Sequence, residues 1–71
     1  MMTYGRALRT LMARQGVSQI ELARRLDTTR GYVSQLMSDT IREPKLGRSY
    51  QIAEALGVTL DDFTDLMFGG E

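Results

Sequence analysis

The sequence contains no cysteine, no histidine and no tryptophan, and one proline in 71 residues. Without cysteine there is no disulfide framework and no thiolate to hold a metal. The joint absence of cysteine and histidine argues against zinc, and against histidine-centred acid–base or triad catalysis. No apolar run is longer than four residues, far below the roughly 18 that span a membrane. Arg6, Arg9 and Arg14 interrupt the one segment that could serve as a signal peptide. The expectation is a soluble cytoplasmic protein that is not an enzyme, with no cofactor, no metal, no membrane partner and no small-molecule ligand.

At 71 residues the chain is short for a domain, so residues 1–71 are expected to form a single one. A chain of this size buries only about 60% of the surface its unfolded form exposes, which limits its stability. Hydrophobic residues at 42% and charged residues at 25% are ordinary globular values and argue against disorder. The formal net charge is zero, with nine basic and nine acidic residues, but the charges are unevenly spread. Residues 1–50 hold all nine basic residues against four acids (Glu21, Asp27, Asp39, Glu43), and residues 51–71 hold five acids and no base. A basic working face with an acidic end turned elsewhere suits a polyanionic partner.

The patterning is helical throughout, with no alternating polar–apolar segment that reads as a strand. Tyr4, Leu8, Leu11 and Met12 form one apolar stripe, and Gly16 is placed to end that helix. Val17-Ser18-Gln19-Ile20-Glu21-Leu22 reads as a capping box: Ser18 accepts from the Glu21 amide, Glu21 reaches back to the Ser18 amide, and Val17 and Leu22 occupy the staple positions. Leu22, Ala23 and Leu26 form the buried face. Asp27-Thr28-Thr29 is a turn, with Asp27 suited to left-handed backbone and Thr29 to an N-cap. A third helix spans about Arg30 to Met37. Val33, Leu36 and Met37 face inward, and Gly31, Ser34, Gln35 and Ser38 face out. Residues 38–45 read as a loop, with Pro44 near the next helix start. A fourth helix from about Leu46 to Leu56 buries Leu46, Tyr50 or Ile52, Ala53 and Leu56, and ends at Gly57. Thr59 caps a fifth, with the stripe Leu60, Phe63, Leu66 and Met67 and an end at Gly69-Gly70. The fold expected is all-α, a compact five-helix domain.

The second and third helices, joined by a turn of about three residues, make a helix-turn-helix over about residues 18–37. The outward face of the third helix carries Arg, Gly, Tyr, Ser and Gln and no acid. Arg and Gln are the side chains that bond guanine and adenine bidentately in the major groove. Gly31 costs about 1 kcal/mol of helix propensity relative to alanine. Either close approach of the backbone to DNA or a relaxed helix start explains it.

The stretch Ser18-Gln19-Ile20-Glu21-Leu22-Ala23-Arg24-Arg25-Leu26-Asp27-Thr28-Thr29-Arg30-Gly31-Tyr32-Val33-Ser34-Gln35-Leu36, with Ile-Ala-x-Ala-Leu-Gly-Val at 52–58, resembles the helix-turn-helix of phage-repressor (Cro/Xre-type) DNA-binding proteins. The resemblance covers about residues 4–63. It implies a repressor-like five-helix fold and occupancy of a double-stranded DNA operator, usually as a homodimer, most simply as a transcriptional repressor. It implies base contacts from Arg30, Gly31, Tyr32, Ser34 and Gln35, and phosphate contacts from Gln19, Thr29, Ser38, Thr40, Arg42 and Lys45. Tyr32 either packs against the second helix or touches a phosphate or a thymine methyl. Two positions depart from the family pattern: Asp27 stands where Gly is usual and Thr28 where an apolar residue is usual. Gly31 also leaves a common base-reading position without a side chain. Phe63, Met67 and Phe68, on the acidic last helix, are the expected dimer interface, with pairing of recognition helices about 34 Å apart. The alternative is a helix-turn-helix that binds a protein partner, such as an antitoxin or adaptor.

Overall fold

Four of the five helices start at a hydroxyl. Thr3, Ser18, Thr29 and Thr59 each hold extended backbone and accept from the amide three residues on, which satisfies one of the orphan donors of a helix start. The helices that follow are α1 (Tyr4–Gln15), α2 (Gln19–Arg25), α3 (Arg30–Met37) and α5 (Leu60–Thr64). The fourth helix, α4 (Leu46–Leu56), starts at Lys45 without a side-chain cap. The structure, a computed structural model, describes residues 1–69, and no strand occurs among them. Gly70, expected with Gly69 to end the last helix, lies outside the described residues.

Three helices end as the sequence suggests. Gly16, Asp27 and Gly57 take φ of 67°, 55° and 73°. The next amide in each case reaches back into the final turn: Val17 N to Met12 O, Thr28 N to Ala23 O, and Val58 N to Ala53 O. These are Schellman closures. Asp27 therefore does the work that glycine commonly does, at the modest cost an Asp bears in that region.

All five helices contribute to one core. Leu8, Leu22, Val33, Leu36, Ile52 and Leu56 are almost fully buried. Tyr4 stacks on Phe63 with ring centroids 4.9 Å apart, which joins α1 to α5. Burial pushes the Tyr4 phenol above its ordinary range, with the neighbouring Ser49 side chain opposing.

The fold differs from the sequence reading in three places. Leu46 is 76% exposed rather than buried. At about 100° per residue, Ile52, Ala53 and Leu56 centre a stripe whose first-turn position is Ser49, and Leu46 falls well to one side of it. The capping box at α2 is half-formed. The Glu21 amide donates to Ser18 Oγ at 3.1 Å, but the Glu21 carboxylate is held by Arg24 at 2.6 Å and Arg25 at 2.8 Å. The complete box lies at α5: Thr59 N donates to Asp62 Oδ2 at 2.9 Å and Asp62 N to Thr59 Oγ1 at 3.2 Å. The last helix also changes character, because α5 passes into a π-helical turn over Asp65–Gly69.

α1 crosses the C-terminal end of α3 at Gly5. Asp39, just past α3 with φ 63°, accepts from Gly5 N at 3.0 Å and from Thr3 Oγ1 at 2.9 Å. Its carboxylate thus sits at the positive end of α1. This contact fixes the end of α3, and so the tilt of its outward face.

Candidate nucleic-acid interface

Val33 and Leu36 anchor α3 in the core. At about 100° per residue, that leaves Gly31 and Ser38 on the midline of the opposite face, with Arg30 and Ser34 to one side and Gln35 to the other. All five are exposed. Thr29 Oγ1 accepts from Tyr32 N at 3.1 Å, and its hydroxyl proton remains free to donate outward. The N-terminal turn of α3, with its partial positive charge, opens onto this face beside Arg30.

The far end of α3 adds two hydroxyls. Ser38 Oγ and Thr40 Oγ1 lie 2.9 Å apart, and both residues are exposed. Arg42 and Lys45 follow on the same loop, also exposed. Among the described residues the only ion pairs are those of Glu21, so Arg30, Arg42 and Lys45 keep their charge for an outside partner. Gln19 opens α2 and is half-buried. The structure thus gathers Thr29, Arg30, Gly31, Ser34, Gln35 and Ser38 on one helix, with Thr40, Arg42 and Lys45 on the loop that continues it.

Tyr32 stands apart from this group. It is half-buried against the core, and the Arg48 guanidinium carbon lies 5.2 Å from its ring centroid. Arg48 also donates to Leu26 O at 3.4 Å and Gln51 Oε1 at 3.3 Å. The ring is therefore committed to α4 through a cation–π contact, and it flanks the outward face rather than standing on it. Local pattern does not single out Arg48, because Tyr32 and Leu26, the partners that tie it to the helix-turn-helix, lie 16 or more positions away.

Arg25 likewise has a structural task. Besides Glu21 it donates to Ala55 O at 2.6 Å, and Gln15 Nε2 takes Leu56 O at 3.0 Å. Both occupy last-turn carbonyls of α4, as helix C-termini require. The Glu21 carboxyl is held below its ordinary range by hydrogen bonds from Arg24 and then Arg25. Arg24 is raised in return by the same Glu21 hydrogen bond. An acid on the helix that leads into the turn is thereby neutralised, and Asp39 is spent on the α1 start. Asp27 remains the one exposed acid in the turn.

Of the three residues expected at a dimer interface, Phe63 is 2% exposed and stacks on Tyr4. It belongs to the core and cannot meet a second chain in the folded domain. Met67 is half-buried and Phe68 is 65% exposed.

No helix among the described residues is long and apolar enough to cross a membrane. A comparison with curated proteins finds no match. A comparison with family models finds one, helix-turn-helix, over residues 8–63. Those residues run from the second turn of α1 to Phe63 and take in the whole α2–turn–α3 unit and its Arg48 buttress. The chain belongs to the Cro/Xre-type helix-turn-helix family of DNA-binding proteins.

Proposed function

We propose that the protein is a sequence-specific double-stranded DNA binder that regulates transcription by occupying an operator, most simply as a repressor. The observation that carries this reading is the outward face of α3: exposed, free of acid, and framed by cations without intramolecular partners. α3 lies in the major groove. Arg30, Ser34 and Gln35 reach base edges, Gly31 allows the backbone close to them, and Tyr32 contributes from the flank. Gln19, Thr29, Ser38, Thr40, Arg42 and Lys45 contact phosphates and set the register. The principal extents of 32 × 24 × 22 Å allow two copies side by side to present their α3 helices about one DNA turn apart, near 34 Å. A homodimer reading two half-sites follows.

Selection from random duplex DNA at about 150 mM salt, where nonspecific binding is weak, tests this. Enrichment of a motif with two inverted half-sites is the expected result. Salt-sensitive binding to all sequences without enrichment would overturn it in favour of a protein partner.

Gly31 supports the reading in a way that can be measured. A Cβ there would meet nothing nearer than Thr29 Oγ1 at 3.8 Å, and its φ is not left-handed. The fold itself gives no reason for a glycine. Gly31→Ala is expected to raise the melting temperature, in line with a propensity gain of up to about 1 kcal/mol, and to weaken binding to the selected site. The two readouts moving in opposite directions identify a residue kept small for its ligand. Unchanged binding would remove Gly31 from the base-reading set.

A further inference from the structure

The Tyr4 hydroxyl is buried and has no hydrogen-bond partner within the protein, the one such side-chain atom among the described residues. An unpaired buried hydroxyl is destabilising, and the stack on Phe63 needs only the ring. Phenylalanine would therefore serve the core better. The neighbouring Ser49 donates to Pro44 O at 3.5 Å instead. Burial keeps the phenol protonated, so what stands unused is a donor. Two hollows share Tyr4. One, of about 590 Å³, has Met2, Met67 and Phe68 in its lining, and the other, of about 280 Å³, has Leu46, Leu60 and Phe63. Glu43, Met67 and Phe68 also belong to both. The larger lies within the roughly 300–1,000 Å³ of small-molecule sites, in which an apolar lining holds the ligand and a few polar groups orient it.

We propose that these hollows bind a small neutral carbonyl compound with an apolar body, its oxygen accepting a hydrogen bond from the Tyr4 hydroxyl. The charges of the lining disfavour an ion. Glu43 repels a carboxylate, Arg42 repels a cation, and the two offset each other. Asp39, also on the larger hollow, is taken up by Gly5 N and Thr3 Oγ1. The hydroxyl is closed to water, and Leu46 and Ser49 line the smaller hollow with Tyr4. Leu46 is 76% exposed and free to turn aside, so a ligand atom reaches the phenol without disturbing the core. No local pattern announces this site, because only the fold brings Tyr4, Ser49 and Met67 together, and the sequence alone led to the opposite expectation. Glu43 and Pro44 on the smaller hollow stand between Arg42 and Lys45 in the chain. On the DNA-binding reading those two cations contact phosphates, so occupancy alters operator affinity. The ligand site itself does not depend on that reading.

Titration of the full chain with acetophenone, followed by proton–nitrogen NMR, tests the site without DNA. Toluene serves as the counterpart that lacks an acceptor, and benzoate as the charged one. Acetophenone is expected to shift the amides of Tyr4, Ser49 and Met67 and to bind about fivefold more tightly than either counterpart, the worth of one net hydrogen bond. Tyr4→Phe keeps the ring and removes the donor. It is expected to raise the melting temperature and to abolish the preference for acetophenone over toluene. Leu46→Glu places a charge at an exposed position on the rim and is expected to weaken acetophenone binding with the far-UV circular dichroism unchanged, so the site stays testable if Tyr4→Phe folds poorly. No shift of those amides at millimolar acetophenone, or toluene or benzoate binding as tightly, would overturn the proposal. So would a Tyr4→Phe variant that melts below the parent, since the hydroxyl would then already have a partner. With the operator found by selection, saturating acetophenone is expected to change the affinity of the parent and not that of Tyr4→Phe. Unchanged operator affinity beside intact acetophenone binding would overturn the link to Arg42 and Lys45, and failure of the selection itself would count against the operator reading alone.

Discussion

Gly5→Ala is expected to cost the domain about 3 kcal/mol, at the upper end of overpacking penalties. An added Cβ would fall inside contact distance of the Leu36 carbonyl oxygen and within 2.7 Å of Asp39 Oδ1 and 2.8 Å of Met37 O. Two of these three atoms are backbone and cannot swing aside. Relief requires α1 to lift from the end of α3, which breaks the Gly5 N–Asp39 bond and opens the contact between Leu8 and its neighbours. A domain of this size has on the order of 5 kcal/mol in total, so the substitution removes most of it. Gly47→Ala is the matched control: a Cβ there meets nothing within 4 Å, and stability rises by about 0.5–1 kcal/mol. Urea denaturation followed by circular dichroism measures both. Equal midpoints for Gly5→Ala and the parent would mean that α1 and α3 do not meet at this distance.

Arg30→Ala is expected to weaken binding to the selected operator by about 1–3 kcal/mol and to relax the requirement at one base pair. Arg30 is exposed and has no ion-pair partner among the described residues, so the substitution leaves the fold alone and the loss is read as lost contact. Competition binding with every single-base variant of the operator locates the relaxed position. A loss of equal size on random DNA would assign Arg30 to a phosphate. Gln19→Ala provides the contrast, since a phosphate contact is expected to weaken all sequences alike.

The features legible in the sequence are those set by neighbours along the chain. Ser18, Thr29 and Thr59 as caps, Gly16, Asp27 and Gly57 as ends, and the inward Val33 and Leu36 all follow from spacing within one or two turns. The outward residues of α3 were legible for the same reason, because placing the core face of a regular helix also places its opposite. What lay beyond reading was fixed across the fold. Asp39 serves Thr3 and Gly5 over a separation of more than 30 positions. Glu21 had two possible partners, the Ser18 amide and the arginines behind it, and the charged donors won because they form stronger bonds. Leu46 counted as core because apolar residues usually pack, and the depth of the α4 stripe sent it to the surface instead. Tyr32 packs beneath Arg48 of α4, a partner that no local pattern announces.

The wide turn over Asp65–Gly69 carries one residue more than an α-helical turn needs. Loss of a single codon there would let the α-helical ladder run on. The wide turn absorbs that surplus, so the side chains beyond it would keep their direction about the axis. Leu66 and Met67 pack against the core from this turn, so the change would be felt there, whereas α3 does not touch the turn. A change of length at this end of the fold is therefore separated from the outward face of α3 by the core between them.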